Sequence, residues 1–170
     1  MDWFALRDLS VAAERSGRSL AAGYDRVAGL NLAEGRVLLV LAAFPSISAG
    51  EVTARTTMDK ARVSRALSKL MLMGLVNRKA HRDDRRQAVL RVTAKGQRTA
   101  AEIESVARAI QADLLDALTE RERRDLRRAL QKFCARAETR LGQETTRAEK
   151  PGRSGAGGAR AATIEGGRVQ

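Results

Sequence analysis

The feature that most constrains the fold of this chain is a series of three closely spaced helix-start signals. Asn31, Ser48 and Asp59 each precede a short segment whose apolar residues recur at helical spacing, and these residue types cap helix N-termini. Pro45 ends the first of these helices, because proline disfavours helical geometry in the residue before it. Gly74 ends the third helix at the position that favours glycine. The sequence therefore predicts three short helices in succession.

Two short β-prone runs, residues 75–79 and 88–92, follow the third helix and suit a hairpin with a long basic tip. Three short helices and then a two-stranded hairpin are the order of a winged helix-turn-helix. Apolar residues at helical spacing also predict one long helix before this region and two long helices after it. The predicted fold is mainly α with a small β-hairpin, a winged helix-turn-helix flanked by N- and C-terminal dimerisation helices.

The composition excludes several classes of protein. With 44% hydrophobic residues the chain can form a core, so wholesale disorder is excluded. A single cysteine excludes an internal disulfide framework, and no group of residues at ligand spacing predicts a metal site. The sequence has neither a nucleophile–base pair nor a glycine-rich phosphate loop, so we expect no enzymatic activity and no cofactor. Without an apolar run of membrane-spanning length or a signal pattern, the expected protein is cytoplasmic and has no membrane partner.

Positive charge is concentrated in the predicted winged helix-turn-helix. The chain has 32 Lys and Arg residues against 20 Asp and Glu residues, a formal net charge of +12. Residues 31–91 contain 12 basic and 5 acidic residues, a net of +7, which is more than half of the excess. Excess charge of this size favours a polyanionic partner.

The third predicted helix, residues 60–73, has an apolar face and a basic face. Val63, Leu67 and Leu70 form an i, i+4, i+7 stripe that can pack on the preceding helix. Small residues on the other face permit close approach to the major groove, and arginine can pair with guanine, although an ordinary solvated face has a similar composition. The candidate DNA-contacting residues on this helix are Lys60, Ala61, Arg62, Ser64, Arg65 and Lys69.

Six short motifs, in this order, resemble the multiple antibiotic resistance regulator (MarR) family of bacterial transcription factors. They are LAEGRVL at 32–38, SAGEV at 48–52, MDKARVSR at 58–65, GLVNR at 74–78, DRR at 84–86 and TAKG at 93–96. The resemblance implies a homodimer that binds a pseudo-palindromic operator in double-stranded DNA, with residues 60–73 as the recognition helix. Gly35 departs from the family, which commonly has an aromatic residue there, and this removes one wall of the usual effector cleft.

The resemblance also implies roles for residues at the tip of the hairpin, the wing. Arg86 matches the wing arginine of the family's Asp-x-Arg signature and is expected in the adjacent minor groove, where narrow A·T-rich segments attract arginine. Asp84 matches its acidic partner, which orients an arginine rather than touching DNA. Arg82 and Arg85 are candidate phosphate contacts or, alternatively, solvated loop residues.

The two ends of the chain are expected to form the dimer. Several apolar residues on the first and last helices are candidates for the interface, with packing inside one chain as the alternative: Leu6, Leu9, Leu126, Leu130 and Phe133. Cys134 is expected to be a small apolar residue of the same interface. The predicted segments are 1–30 and 94–141 for dimerisation, 31–93 for DNA binding, and 142–170 as a disordered tail that contains seven of the 14 glycines.

A small-molecule effector also follows from the resemblance. Tyr24, with Arg7 or Arg15, is a candidate for lining the effector pocket. An arginine there would suit an aromatic carboxylate. Alternatively, the two arginines are ordinary surface charges. The predicted function is a transcriptional repressor that such an effector releases from its operator. A non-specific architectural nucleic-acid-binding protein is the alternative, because it shares the charge without needing a palindrome.

Overall fold

Six α-helices and one β-hairpin make up residues 3–80 and 88–148, the part of the chain that the structure, a computed structural model, describes. In chain order they are α1 (Trp3–Ala28), α2 (Leu32–Ala43), α3 (Ala49–Thr56), α4 (Lys60–Leu72), β1 (Val76–Ala80), β2 (Ala88–Val92), α5 (Ala94–Asp116) and α6 (Glu120–Ala148). The elements follow the predicted order, which confirms the predicted fold class.

The short helices begin at their predicted capping residues. The Asn31 side chain accepts hydrogen bonds from the backbone N–H groups of Ala33 at 2.9 Å and Glu34 at 3.0 Å. The Glu34 carboxylate in turn accepts the Asn31 N–H at 2.9 Å. Ser48 and Glu51 form the same reciprocal pair at the start of α3. These bonds satisfy N–H groups that have no partner within the first helical turn.

Gly74 turns the chain from α4 into the hairpin. Its φ of +69° lies in the left-handed region, which glycine adopts without strain. Strand β1 begins one residue later than predicted and pairs antiparallel with β2, from Val76 opposite Val92 to Ala80 opposite Ala88. The predicted wing residues lie outside the described residues: Arg82, Asp84, Arg85 and Arg86.

The segment before α3 ties the hairpin to the helices. Ile47 forms an isolated antiparallel bridge with Leu90, whose N–H donates to the Ile47 carbonyl at 2.9 Å. Both side chains are buried. This bridge holds β2 beside the start of α3 and so orients the hairpin relative to the helix-turn-helix.

One core holds together the first of two compact units, which ends at Leu118. Its fully buried aliphatic side chains are Leu30, Val37, Leu38, Leu41, Val52, Val63, Leu70, Leu75, Val76 and Ile103. Tyr24 from α1 lies in the same core as Ile103 from α5. The core therefore includes residues from three of the predicted segments, because α1 and α5 both pack on the helix-turn-helix.

The second unit begins at Thr119, and its described part is α6. The Glu122 carboxylate accepts the N–H of Thr119 at 2.8 Å and its hydroxyl at 2.7 Å, which caps the helix. These hydrogen bonds hold the pKa of Glu122 below its ordinary value. Asp125 pairs with Arg121 at 3.9 Å and with Arg128 at 2.8 Å along the exposed surface.

The end of α6 differs from the prediction. The helix continues to Ala148, so the prediction that a disordered tail begins at Gly142 is wrong for residues 142–148. One glycine costs a helix only about 1 kcal/mol relative to alanine. Each residue added to an existing helix also forms a further hydrogen bond, so a long helix can continue past a single glycine.

Neither a membrane-spanning helix nor a metal-binding cluster occurs among the described residues. No helix there has both the length and the apolar character needed to cross a bilayer. No group of three or more His, Cys, Asp or Glu side chains comes together there in an arrangement that could hold a metal ion.

Candidate nucleic-acid interface

Helix α4 divides its side chains between a buried face and an exposed face. Val63, Ala66, Leu67 and Leu70 face the core and are at most 5% exposed. The helical period of 3.6 residues turns the remaining positions outward. All six predicted DNA-contacting residues of this helix are exposed: Lys60, Ala61, Arg62, Ser64, Arg65 and Lys69.

The exposed face of α4 is cationic at its charged positions. Asp59, the N-cap, directs its carboxylate back to the helix, where Oδ1 accepts the N–H of Arg62 at 2.7 Å. Its negative charge therefore lies at the positive end of the helix dipole. Within the described part of the chain, no salt bridge engages Lys60, Arg62 or Arg65. The side chains of these three cations are exposed.

A groove of about 610 Å³ lies between α3, α4 and the hairpin. Apolar side chains that line it include Val63, Leu67 and Leu90, while Lys60 and Arg78 contribute positive charge. The groove contains small residues from both helices of the helix-turn-helix. A helix that reads base edges needs such a surface, because small side chains let the duplex approach and cations bind its phosphates.

Arg78 is a candidate contact that the sequence analysis did not include. Its exposed side chain lines the groove and lies opposite Leu90 in the hairpin. Directly opposite residues share one face of a sheet. The period of two along β1 was the available signal, because Arg78 follows the buried Val76 by two residues and so shares its side of the strand.

Lys69 has different surroundings from the other cations of α4. It lines a shallow depression together with Asp25, Asn31 and Glu34, which come from α1 and the start of α2. Two of these neighbours are carboxylates, and their negative charge offsets that of the lysine. Lys69 therefore offers a weaker positive potential to an external anion than Lys60 does.

Comparison with known proteins now identifies the family. The sequence model of the MarR family matches residues 28–87, which include α2, α3, α4 and β1. The HTH-type transcriptional regulator BilQ of Clostridium symbiosum is 31% identical over 97 residues, which are 57% of this chain and 67% of that protein. The chain belongs to the MarR family. This confirms the resemblance carried by the six motifs and makes the chain a member of a family of DNA-binding transcriptional regulators.

Solved MarR-family structures share the fold. The MarR/EmrR family regulator from Acinetobacter sp. ADP1 has a TM-score of 0.74 at 23% identity, over 81% of this chain and 97% of that one. A mutant of E. coli MarR, in complex with operator DNA, has a TM-score of 0.69 at 20% identity, over 75% of this chain and 91% of that one. At these identities the likeness concerns the winged helix-turn-helix fold alone.

The predicted effector residues of this MarR-family chain lie in two different environments. Arg7 and Arg15 are exposed on α1, and Arg7 pairs with Asp8 at 3.2 Å. Tyr24 is only 3% exposed and belongs to the core. Its ring lies against Gly35, where an added Cβ would overlap with the ring. Within one chain Tyr24 is therefore a core residue rather than an accessible pocket residue, which corrects the prediction.

Both units of the MarR-family chain expose large apolar side chains. In α1, Leu6 is 54% exposed, while Leu9 is partly buried. In α6, exposed apolar residues recur at helical spacing along one face: Leu126, Leu130, Phe133 and Leu141. Cys134 is exposed as well. Exposed apolar side chains grouped in this way are the usual sign of an interaction surface.

Proposed function

We propose that this MarR-family protein is a homodimeric repressor that binds a pseudo-palindromic operator in double-stranded DNA and leaves it when a small effector binds. The observation that carries the proposal is the exposed face of α4. Lys60, Arg62 and Arg65 form no salt bridge among the described residues, and Ala61, Ser64 and Ser68 between them are small and exposed. A helix that enters the major groove needs both properties.

The cations of α4 and its groove have distinct roles in this proposal. Arg65 lies near the middle of the helix and reads a base, because its guanidinium can donate two parallel hydrogen bonds to O6 and N7 of guanine. Lys60 and Arg62, near the N-terminal end, contact phosphates. Arg78 contacts the backbone from the other side of the groove. The operator complex of the E. coli protein of the same fold supports this use of the fold.

The wing has a role of its own in the proposal. Arg86 enters the minor groove next to the major groove that α4 occupies, and Asp84 orients an arginine of the wing. Arg82 and Arg85 contact phosphates on either side. The antiparallel pairing of β1 and β2, with Ala80 opposite Ala88, supports the hairpin to which this proposal assigns the wing.

Dimerisation accounts for the pseudo-palindromic operator in this proposal. Two copies related by a two-fold axis would place their recognition helices one DNA turn apart, about 34–36 Å. The exposed apolar residues of α1 and α6 support an interface between copies, because burying each side chain of this size contributes about 1.5–3 kcal/mol. Cys134 would be covered by the same interface.

Release by an effector requires a ligand that binds one of two conformations more tightly. In one of these conformations the recognition helices have the wrong spacing for the operator. A ligand that binds this conformation more tightly lowers operator affinity, and the size of the effect is set by the difference between its affinities for the two conformations. Arg15 remains the accessible cation for a carboxylate in this proposal, and Arg7 already has Asp8 beside it. A panel of aromatic carboxylates, added to the operator complex of wild type and Arg15→Ala, tests this part by the loss of bound DNA.

A binding titration tests the central claim. The purified protein is titrated with DNA from its own promoter and with random DNA of equal length, at several salt concentrations. If each protomer neutralises about four to five phosphates, the slope of log K against log salt is about −7 to −9. The operator fragment should also bind at least about a thousandfold more tightly than random DNA.

The same titration separates the competing functions. A steep slope with equal affinity for both fragments would identify a non-specific architectural protein. A slope near zero would contradict the proposed binding of DNA through its phosphates. Titration of one half of the promoter fragment alone, at the same salt concentrations, controls for protein that binds the ends of the DNA.

A further inference from the structure

One short segment at the start of α5 bonds three consecutive backbone carbonyls at the end of the recognition helix. The Met73 carbonyl accepts a hydrogen bond from Nζ of Lys95 at 3.0 Å. The Gly74 carbonyl accepts from the Thr93 hydroxyl at 2.8 Å. The Leu75 carbonyl accepts from the Thr93 N–H at 3.0 Å and from its hydroxyl at 3.3 Å. The last carbonyls of a helix have no partner within the helix, and Lys95 supplies one for Met73, the C-cap of α4. The bonds of Thr93 fix the two residues that follow this cap.

The same segment is also packed closely against the end of α4. The Gly96 N–H donates to the Thr93 hydroxyl at 3.0 Å, which caps α5. A Cβ at Gly96 would overlap with the Leu75 carbonyl oxygen, so only glycine allows the first turn of α5 to approach this closely. Hydrogen bonds and direct backbone packing therefore join the end of one helix to the start of the other.

We propose that Lys95 is a positioning residue for DNA recognition, which holds the end of α4 on the start of α5 through the Met73 carbonyl. The inference rests on the proposed function, in which α4 reads the operator. The ammonium lies at the negative end of the α4 dipole, where a cation is favoured. It bonds the protein's own backbone and leaves the phosphates to Lys60 and Arg62.

The location of this contact links recognition to the rest of the first unit. Helix α5 runs from Ala94 to Asp116 and places Ile103 in the core. A displacement of α5 therefore reaches α4 through the bonds of Thr93 and Lys95. Loss of the Lys95 bond should leave the helix folded while its end becomes less well fixed, because Thr93 keeps its own bonds.

A positioning lysine and a phosphate-contacting lysine give different salt dependences. A lost phosphate contact reduces the slope of log K against log salt by about one per protomer and weakens binding to every DNA sequence. A lost positioning contact lowers operator affinity, leaves the slope as in wild type and leaves binding to random DNA unchanged. Lys95 is exposed and basic, so either role is open to it, and the salt dependence distinguishes the two.

The test compares four variants of the full chain with wild type, on operator and random DNA at several salt concentrations. Lys95→Met should weaken operator binding about threefold to tenfold, which is typical of residues that act through another element. The slope of log K against log salt should stay as in wild type. Lys95→Arg should recover most of the affinity, because a guanidinium can also donate to the Met73 carbonyl. Lys60→Met is the phosphate-contact reference, and Lys132→Met, on the exposed surface of α6, controls for the loss of one positive charge.

Hydrogen exchange in the protein without DNA provides an independent reading. The N–H groups of Met73, Gly74 and Leu75 bond the carbonyls of Lys69, Met71 and Leu70. In Lys95→Met they should exchange about threefold to tenfold faster than in wild type, while amides of the α3 core stay unchanged. Unchanged exchange at all three amides would overturn the proposal even if the protein proved not to prefer its operator. A reduced slope in Lys95→Met, or operator binding equal to wild type, would overturn it as well.

Discussion

Gly35 lies in the middle of α2, where alanine would favour the helix by about 1 kcal/mol. The ring of Tyr24 occupies the space next to its Cα, and a Cβ there would overlap with Cδ2 and Cε2 of that ring. Both residues are buried. The absent side chain on α2 and the aromatic ring from α1 therefore form one complementary contact, which a larger residue at either position would disturb.

Gly35→Ala should destabilise the protein in spite of its gain in helix propensity. Overpacking a buried site costs about 1–3 kcal/mol, which outweighs that gain. Urea unfolding should show a lower midpoint for Gly35→Ala, with partial recovery in the double variant Tyr24→Leu, Gly35→Ala. Gly50→Ala is the matched control, because the nearest atom to its added Cβ is Oγ of Ser48 at 3.8 Å. A Gly35→Ala protein as stable as Gly50→Ala would contradict this packing.

Tyr24 should also make the stability depend on alkaline pH. Burial raises the pKa of its phenol, and the nearby charge of Arg36 opposes this in part. In the unfolded chain Tyr24 loses its proton at the ordinary pKa, whereas in the folded chain it keeps the proton to higher pH. The free energy of unfolding therefore falls as the pH rises past the ordinary pKa of tyrosine. Since the chain has one tyrosine, the ultraviolet absorbance of tyrosinate follows this group alone. A titration with the ordinary pKa, or the same alkaline loss of stability in Tyr24→Phe, would refute the expectation.

At the scale of the element, α4 should divide its cations into two kinds of contact. Arg65→Ala should relax the preference for one base pair, at a cost of about 1–3 kcal/mol on the operator alone. Lys60→Ala should weaken all sequences alike and reduce the salt slope by about one per protomer. Lys69→Ala should change the slope less than Lys60→Ala, because Asp25 and Glu34 lie beside Lys69. Equal slope changes for the two lysines would show that these carboxylates leave Lys69 free to bind phosphate.

The starts of the helices show why some elements can be predicted locally. Asn31, Ser48, Asp59, Thr93 and Thr119 each bond N–H groups within three residues of themselves, so their effect needs no distant partner. At α3 the Ser48 N–H and hydroxyl also donate to the Glu51 carboxylate, which holds the pKa of Glu51 below its ordinary value. The end of α6 was harder to predict, because nothing local stops a helix that has already formed.

At the scale of the whole molecule, the exposed apolar residues of each unit predict self-association. Light scattering should give twice the chain mass of 18.5 kDa in the absence of DNA. Leu6→Glu in α1 and Phe133→Glu in α6 each place a charge on an exposed apolar surface, so they should weaken the dimer without unfolding the chain. Ser10→Glu and Lys132→Glu, at exposed polar positions of the same helices, are the controls. A wild-type mass equal to that of one chain would refute the dimer, whereas loss in one variant alone would identify the unit that forms it.

The sequence by itself determined the order of the elements, their capped starts, the two faces of α4 and the family. These features depend on residues within a few positions of one another, through hydrogen bonds and helical or strand periodicity. The motifs that carry the family resemblance are likewise short and ordered along the chain.

Only the tertiary structure decided which distant residues meet. It placed Tyr24 in the space beside Gly35, Lys69 near Asp25 and Glu34, and the Lys95 ammonium on the Met73 carbonyl. It also brought Arg78 into the groove beside α4. The physical reason is the same in each case: a side chain's environment is set by what packs against it, and those partners come from other elements that local periodicity does not position.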